Sequence, residues 1–414
     1  MTYYQLDQHV RLISGAMSHC LFHDGSGTVY HINNDTLGLL QRLATQGVDG
    51  LGTEETNLIE QFETAGLVRP VEATGALKIL EISPLDDRRV DFAWIEVTQR
   101  CNMRCLHCYE DSSPTNGDEM AEEDFHLAMH RLCDYGIRKI QFIGGEPLLL
   151  GSRLTAYIRQ YRDHFDSVEV FTNATLLKEP LVKDLKTLDV SVALSLHSSD
   201  EAQHDRMTRT RGSFKRTTRS IELLRSHAVK YRICGVEIAE IDPGQTNAYP
   251  INKRDLVRLT GRADLALYND AMLRRKLITQ NNFRRAQSLS DVRAKATGHN
   301  CFARNIYIDC HLEVFPCVME RRFSHGNLRS GALGDILDPG IQHLTKDQVA
   351  SCSACEYRYF CFDCRPDACG AGKFAKPWYC TYVPETGTWT PPDAFIATLK
   401  ATYRKESDYA ELQI

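Results

Sequence analysis

Three cysteines, Cys101, Cys105 and Cys108, follow the spacing C-x3-C-x2-C directly after a strand-like run of residues. Three thiolates can ligate three irons of a four-iron cluster and leave the fourth iron open. An open iron on a low-potential cluster can hold a small molecule by its amino and carboxylate groups. The spacing therefore predicts a cluster that is a reaction centre as well as an electron store, held in a loop at the end of a strand.

Zinc is the alternative for three cysteines so close in sequence. Structural zinc sites draw four ligands from C-x2-C pairs, and an imidazole ring directly before the third cysteine, here His107, is uncommon in zinc knuckles. The spacing, His107 and the Cys108-Tyr109 pair resemble the signature of the radical S-adenosylmethionine (SAM) enzymes. That resemblance implies that the fourth iron chelates the methionine part of SAM.

The composition is that of a globular chain of 414 residues, 43% hydrophobic and 25% charged, which is long enough for two or three domains. A net charge of −5 and a pI near 6.3 supply no basic surface for nucleic acid, so a peptide is the expected polymer partner. The start of the chain, Met1 to Val10, is polar, and no long apolar run occurs anywhere. We expect a soluble, cytoplasmic protein that binds neither nucleic acid nor a membrane.

Fifteen cysteines in a chain without an export signal indicate metal ligation in a reducing compartment rather than disulfides. Nine of the fifteen lie between Cys301 and Cys380. Cys20, Cys133 and Cys234 stand alone in apolar surroundings, and we interpret them as small buried hydrophobic residues without a role.

Residues 1–80 are predicted to form a small winged-helix-like unit. Two short strands, over 17–22 and 28–32, flank a turn-rich connection and are followed by a helix with leucines on one face. A second helix is predicted to begin at Thr53 and to end at Gly66.

The pattern from Gly27 to Asn33, followed by the leucine-rich helix, resembles the peptide-recognition element of enzymes that modify ribosomally made peptides. The resemblance implies that a leader peptide binds as an added strand on an exposed sheet edge. The alternatives are an inert cap and a DNA-binding winged helix, and the acidic charge disfavours the second.

Residues 90–290 are predicted to form a partial (β/α)6 barrel of the α/β class. Apolar runs alternate with amphipathic stretches at a spacing typical of parallel βα units. Five strands are predicted over 90–97, 139–143, 167–171, 190–196 and 231–238. A sixth strand is predicted over 263–268, and the active site of such a barrel lies at the carboxyl ends of its strands.

The candidate SAM-binding motifs fall at those strand ends. They are Gly144, Gly145, Glu146 and Pro147 after the second strand, Asn173 after the third, and Ser195 and His197 at the end of the fourth. Glycine permits close backbone approach, and a glutamate can accept hydrogen bonds from an ammonium group. The turn at Asn173 resembles a Thr-Asn-Gly-Thr turn of the radical SAM family, but Ala174 replaces the glycine, so we expect the backbone there to avoid positive φ.

The family resemblance implies roles for these residues. The glycine turn resembles the stretch that grips the methionyl amine of SAM, and Ser195 resembles a serine that contacts SAM. Arg209 is the best match to the arginine that pairs with the SAM carboxylate, and its neighbours Arg206 and Arg211 are rivals for that role. A solvated basic face is the alternative interpretation of the three arginines.

Residues 300–390 are predicted to form a cysteine-rich domain, followed by a tail or helix over 391–414. Nine thiols suffice for two four-iron clusters or two zinc ions, and the iron–sulfur chemistry predicted for the first triplet favours iron. The order of the cysteines resembles the SPASM extension of radical SAM enzymes that crosslink peptides. By that resemblance the outer cluster takes Cys352, Cys355, Cys361 and Cys380, and the inner cluster takes Cys301, Cys317 and Cys364.

The fourth ligand of the inner cluster has three candidates. Cys310 lies between two assigned ligands and is our first choice, and Cys369 is its rival. The third alternative is a cluster with three protein ligands that is open to substrate.

The resemblance implies SAM and three [4Fe–4S] clusters as cofactors, one cluster binding SAM and two being auxiliary. Its implied partners are a precursor peptide and an electron donor such as flavodoxin or ferredoxin. We expect a peptide maturase that abstracts hydrogen from a core residue and closes a C–C or C–S crosslink, and no side chain is assigned to catalysis. The alternatives are formylglycine formation, peptide epimerisation and a non-catalytic metal-binding adaptor.

Overall fold

The computed structural model describes residues 2–79, 81–83, 89–115, 117–244, 248–367 and 372–403. The N-terminal part contains a three-stranded antiparallel sheet, a separate two-stranded ribbon and two helices. Its elements are β1 (Tyr3–Leu6), β2 (Val10–Ser14), β3 (Ser18–His23), β4 (Thr28–Asn33), α1 (Asn34–Thr45), α2 (Thr53–Thr64) and β5 (Val68–Val71).

Local sequence signals explain most of this part. The side chain of Asn33 caps α1 by accepting a hydrogen bond from the Thr36 N–H, and Leu40 is buried on the face that packs on the strands. The predicted hairpin is β3 paired with β4, and both predicted helices are present. The sequence analysis did not identify β1, which pairs antiparallel with β5 and closes the unit.

The central part is a parallel sheet with helices between its strands, as the α/β prediction requires. In chain order its elements are β6 (Phe92–Thr98), α3 (Glu122–Tyr135), β7 (Lys139–Gly144), α4 (Ser152–Tyr161), β8 (Ser167–Thr172), α5 (Glu179–Thr187), β9 (Ser191–Ser195), α6 (Glu201–Thr208), α7 (Ser213–Ser226), β10 (Tyr231–Glu237), β11 (Lys253–Leu256), α8 (Asp270–Lys276) and α9 (Leu289–Thr297). Strands β6 to β11 lie side by side in sequence order and pair in parallel, which is the arrangement of an open (β/α)6 barrel.

The sixth strand is not where the sequence pattern placed it. Lys253–Leu256 forms β11 beside β10, whereas the predicted strand over 263–268 contains a single 3-10 turn, Leu265–Leu267. The side chain of Asp264 accepts a hydrogen bond from the Ala266 N–H and stabilises that turn. The prediction failed because β11 has the charged sequence Lys-Arg-Asp-Leu and lacks the apolar pattern of an inner strand.

The C-terminal part continues the same sheet. Its elements are β12 (Asn305–Ile308), β13 (Glu313–Phe315), β14 (Gly326–Asn327), α10 (Leu333–Ile336), α11 (Pro339–Gln342), β15 (Tyr382–Val383), β16 (Thr388–Trp389) and α12 (Pro392–Thr402). Because β12 pairs in parallel with β6, the cysteine-rich segment extends the barrel sheet to nine strands and shares its hydrophobic core.

The N-terminal unit packs against the C-terminal part rather than standing apart. The Phe22 and Phe360 rings lie 5.5 Å apart, and the Ala16 N–H donates to the Ala354 carbonyl at 2.8 Å. The Glu356 carboxylate is buried at this contact, where it accepts hydrogen bonds from the Ser18 hydroxyl at 2.5 Å and the Tyr382 hydroxyl at 2.6 Å. In the described residues, no helix is long and apolar enough to cross a membrane.

Replacing Phe22 by alanine tests whether this contact stabilises the protein. Phe22 is fully buried between the two parts, so Phe22→Ala is expected to destabilise the fold by about 3–5 kcal/mol and to lower the thermal unfolding midpoint. Phe374→Ala is the matched control, because that ring is 40% exposed. Equal midpoints for the two variants, measured by circular dichroism, would contradict the packing described above.

Candidate active site

One cavity of about 350 Å³ collects most of the predicted motifs at the carboxyl ends of the barrel strands. Its walls include Cys101, Cys105, Cys108, Gly144, Gly145, Asn173, Ser195 and His197. These residues come from four different strand ends and are distant in sequence, so the fold itself assembles them.

The cysteine loop after β6 is held by a segment that the sequence analysis overlooked. The Arg262 guanidinium donates to the Cys105 carbonyl at 2.5 Å, to the Ser112 carbonyl at 2.7 Å and to the Asp111 carboxylate at 2.7 Å. The preceding Gly261 lies so close to the loop that a Cβ there would be 2.3 Å from the Tyr109 carbonyl oxygen. A Gly-Arg pair in a loop has no sequence pattern from which these contacts with the cysteine loop could be predicted.

The three thiols of this loop share one buried environment. Burial and the nearby Glu146 carboxylate raise the pKa of Cys101 to about 12, and burial also raises the pKa of Cys105. In the described residues no three His, Cys, Asp or Glu side chains converge closely enough for one metal ion. All three thiols line the same cavity.

The Glu146 carboxylate accepts three hydrogen bonds within the protein. It is fully buried and accepts them from the Thr172 hydroxyl at 2.5 Å, the Asn173 N–H at 2.7 Å and the Leu148 N–H at 3.0 Å. Burial raises its pKa to about 7 despite these donors. The side chain therefore joins the end of β7 to the end of β8, and the adjacent Pro147 is also buried.

The two glycines of this turn are required by the cysteine loop. A Cβ at Gly144 would lie 2.2 Å from the Thr98 carbonyl oxygen, and a Cβ at Gly145 would lie 2.2 Å from the Arg100 carbonyl oxygen. Gly144 also has a φ of 137°. The glycines thus let the loop that carries the thiols pack directly against the end of β7.

Ala174 contradicts the expectation of negative φ, since its φ is 61°. Hydrogen bonds on both sides hold the strained residue: its N–H donates to the Thr172 hydroxyl at 2.9 Å, and its carbonyl accepts from the Ser220 hydroxyl at 2.6 Å. Asn173 is fixed in the same turn, and its side-chain amide lies 3.8 Å from the Cys101 sulfur. The turn therefore keeps the left-handed geometry that the family's glycine would favour, at a cost of about 1–2 kcal/mol.

Two substitutions test the strain at Ala174. Glycine adopts positive φ without penalty, so Ala174→Gly is expected to leave the thermal midpoint unchanged or to raise it by the equivalent of about 1 kcal/mol. Ala174→Val is expected to destabilise the protein by more than 1 kcal/mol, or about tenfold in the folding equilibrium, because a β-branched residue is both strained and too large there. A tolerated valine would contradict the backbone geometry.

The three arginines considered for the SAM carboxylate lie outside this cavity. Arg209 is exposed at the carboxyl end of α6, Arg206 bonds the Glu240 carboxylate, and Arg211 is exposed. They lie in and just after a helix whose outer face is solvated, so the structure does not bring them to the predicted site. The cationic side chains that do line the cavity are Arg232, Lys253 and Arg258.

Cys234 lies in the wall of the cavity, although the sequence pattern indicated a residue without a role. Its sulfur is 3.0 Å from the Arg232 guanidinium, which in turn forms a two-pronged ion pair with Glu169. Arg232 and Val236, two residues before and after it on the same face of β10, also line the cavity, and the register of the sheet sets which face this is.

The C-terminal cysteines form two groups. Cys352, Cys355, Cys361 and Cys380 line one small cavity close to the N-terminal unit. Cys301, Cys317 and Cys364 form the second group, where burial raises the pKa of Cys317 to about 12 with contributions from the other two thiols. The structure thus assembles the predicted outer set and three members of the predicted inner set.

Cys310 is not part of the inner group. Its N–H donates to the buried Glu96 carboxylate at 3.3 Å, and its side chain packs in the barrel core at the end of β12. Pairing of β12 with β6 fixes this position, which explains the difference from the prediction. Cys369, the rival fourth ligand, lies outside the described residues.

Iron content distinguishes the roles of these cysteines. Cys317→Ala is expected to remove the iron of one cluster, because only two thiols of the inner group remain. Cys310→Ala is the control and is expected to retain wild-type iron and sulfide after anaerobic reconstitution, because its thiol lies apart from the group. Loss of the iron of one cluster from Cys310→Ala would contradict this and show that Cys310 is a cluster ligand.

Comparison with known proteins agrees with the geometry. Residues 95–239 match the family model described as "Radical SAM superfamily". The antilisterial bacteriocin subtilosin biosynthesis protein AlbA of Bacillus subtilis (strain 168) is 26% identical over 318 residues, which are 70% of this chain and 70% of AlbA. The GTP 3′,8-cyclase of Chlorobaculum tepidum is 32% identical over 138 residues, 33% of this chain and 42% of the cyclase.

Two solved structures share the fold. Streptococcus suis SuiB bound to its precursor peptide SuiA has a TM-score of 0.51 and 14% identity, covering 88% of this chain and 96% of SuiB. Native anSMEcpe with bound AdoMet has a TM-score of 0.50 and 14% identity, covering 70% of this chain and 94% of that protein.

The family match places a radical SAM domain at residues 95–239 of this enzyme. The match supports SAM and a four-iron cluster as cofactors. The domain spans β6 to β10, the strands whose ends build the cavity.

Proposed function

We propose that this enzyme matures a ribosomally made precursor peptide by closing an intramolecular C–C or C–S crosslink. The observation that carries the proposal is the position of the inner cysteine group. Val318 and Met319, the two residues after Cys317, line the same cavity as the first cysteine triplet. A peptide residue in this cavity would lie between two thiol groups that belong to different parts of the chain.

The residues described above fit three four-iron clusters. Cys101, Cys105 and Cys108 would hold the SAM-binding cluster, the group of Cys301, Cys317 and Cys364 the inner one, and the four cysteines of the small cavity the outer one. When bound, SAM and the first cluster supply hydrogen abstraction from an unactivated C–H bond, and the auxiliary clusters supply an acceptor for the electron released on bond formation.

The chain's own contribution is positioning and exclusion of water. Trp94, Phe171, Val318 and Met319 supply apolar walls to the cavity, so a reactive carbon there is shielded from solvent. The rim carries charged pairs, including Lys253 and Asp255 at 3.0 Å, which can orient the peptide backbone and side chains around the reacting residue.

The N-terminal unit is proposed to hold the leader part of the peptide. Strand β4 pairs with β3 on one side and, within the described residues, has no strand on the other, so its edge can accept an added strand. This unit packs against the outer cysteine group through Phe22 and Phe360. The contact supports a route along which one peptide extends from the leader site to the cavity. The names of AlbA and of the SuiB–SuiA complex, a bacteriocin biosynthesis protein and a precursor-peptide complex, support the same substrate class.

Peptide epimerisation is the second candidate, favoured by the thiol of Cys234 in the cavity wall. A protonated Cys234 could transfer a hydrogen atom to a carbon radical, and the thiyl radical left on Cys234 would then take one electron from an auxiliary cluster and one proton to become a thiol again. Burial raises the pKa of Cys234, which keeps the thiol protonated at neutral pH. Cys234→Ala would abolish epimerisation but leave crosslinking intact.

Mass spectrometry of the peptide separates the two functions. The reconstituted enzyme is incubated with SAM, a reduced flavodoxin or ferredoxin and a short peptide encoded next to its gene. Crosslinking is expected to remove two hydrogens from the peptide with formation of 5′-deoxyadenosine, whereas epimerisation leaves the mass unchanged in water and adds deuterium in D₂O.

The control for this assay is Cys101→Ala, which loses one thiol of the SAM-binding triplet and is expected to form no product. Formation of methionine by the wild-type enzyme without 5′-deoxyadenosine would contradict a radical reaction. An unmodified peptide in the presence of 5′-deoxyadenosine would contradict the substrate class and leave the radical chemistry intact.

A further inference from the structure

Three histidines form a stack in the cavity wall that the proposed reaction has not used. The His107 and His197 rings lie 4.6 Å apart edge to face, and the His197 and His204 rings lie 5.6 Å apart and stacked. All three line the cavity, and His197 and His204 are only 4% and 1% exposed. They come from the cysteine loop, the end of β9 and helix α6, so no local motif brings them together.

Backbone hydrogen bonds fix the protonated nitrogen in two of these rings. The His197 N–H donates to Nδ1 of His204 at 3.2 Å, and the Val236 N–H donates to Nδ1 of His197 at 3.3 Å. A neutral imidazole whose Nδ1 accepts a hydrogen bond carries its proton on Nε2. Burial lowers the pKa of His204 to about 4 and the pKa of His197 well below its ordinary value, so both rings are neutral at physiological pH.

His204 therefore presents a buried N–H donor that lacks an acceptor. Its Nε2 is fully shielded from solvent and has no hydrogen-bond partner among the described residues. A buried donor without an acceptor is unfavourable, and such groups in native structures usually serve a ligand or function. His197 also lines the cavity, and by the same argument it carries its proton on Nε2.

The arginine that contacts this part of the structure is Arg254, whose guanidinium donates to the His197 carbonyl at 3.4 Å. Arg206, Arg209 and Arg211, the arginines nearest to His204 in sequence, lie outside the cavity lining. Of the lining cations, Arg232 and Lys253 each form an ion pair with a carboxylate, and Arg258 lies near Cys317 and Cys364. His197 and His204 supply neutral N–H donors near Ser195 at the end of β9.

We propose that His204, supported by His197, binds SAM by donating its Nε2–H to an acceptor atom of the cofactor. SAM offers two such groups, the methionyl carboxylate and the adenine nitrogens, and both accept hydrogen bonds from neutral N–H donors. The inference rests on SAM as the ligand of this cavity and is independent of which peptide is modified.

Two substitutions of His204 separate the N–H donor from the ring. The side-chain amide of glutamine places an N–H near the position of Nε2, whereas leucine fills the space without a donor. His204→Leu is expected to weaken SAM binding by about tenfold or more, and His204→Gln is expected to restore the affinity to within about threefold of wild type. SAM affinity is measured by equilibrium binding, and the SAM-induced change in the electron paramagnetic resonance spectrum of the reduced cluster provides a second readout.

His130→Leu is the control, because that imidazole is exposed on α3 and bonds only the Tyr161 hydroxyl among the described residues, at 3.3 Å. Iron content and circular dichroism establish that each variant is folded and loaded. The two product fragments then locate the acceptor: weaker binding of L-methionine by His204→Leu identifies the carboxylate, and weaker binding of 5′-deoxyadenosine identifies the adenine.

The proposal is overturned if His204→Leu binds SAM like wild type, or if folded His204→Gln loses as much affinity as His204→Leu. It is also overturned if neither fragment binds more weakly to the leucine variant. A wild-type enzyme that binds no SAM would instead contradict the radical SAM assignment, so the two failures are distinguishable.

Discussion

The buried carboxylate of Glu146 is the interaction on which the geometry of the site depends. It accepts hydrogen bonds from the Thr172 hydroxyl, the Asn173 N–H and the Leu148 N–H, and so joins the ends of two neighbouring strands. Leaving a buried carboxylate without such donors costs several kcal/mol of folding free energy, so removing even one donor is expected to destabilise the site. Because the Asn173 amide also lies near the Cys101 sulfur, the same network sets the position of the cysteine loop.

Close contacts between backbone segments also hold the cysteine loop in place. Gly145 leaves no room for a Cβ against the Arg100 carbonyl, and Arg262 clamps the other side of the loop through the Cys105 and Ser112 carbonyls. The loop is therefore held from both sides by residues that are distant in sequence. Contacts from other parts of the chain, rather than the short loop sequence itself, thus hold the three sulfurs at a fixed spacing. A site with an open iron needs its ligands held in place in this way.

The sequence was most informative where periodic apolar patterns and turn residues agree. The strands β6 to β10 and the capped helix α1 follow from such patterns, because each buries a regular face and ends at a recognised turn or cap. Strand β11 did not follow, since its charged residues join the sheet only through backbone pairing with β10. Local pattern cannot reveal an element whose stability comes from a neighbour already in place.

The same difference between features set by local sequence and features set by tertiary contacts applies to the candidate active site. The spacing of the first triplet and the glycines were sufficient to locate the cavity, because both are local features of a loop. The positions of Cys310 and Arg209 depended on which face of β12 and α6 is turned inward, and that is set by sheet register and helix packing. The positive φ of Ala174 likewise reflects hydrogen bonds from distant segments that outweigh a local preference.

Burial keeps the thiols of the candidate cluster sites protonated before iron is loaded. Burial, with Glu146 nearby, raises the pKa of Cys101 to about 12, and burial, with Glu356 nearby, raises the pKa of Cys355. These thiols are therefore protonated at neutral pH, which avoids placing several thiolates together in a low-dielectric interior. Iron binds thiolates, so cluster assembly must release these protons at a cost of about 1.4 kcal/mol per unit of raised pKa. Release of these protons therefore makes cluster assembly at the buried thiols dependent on pH.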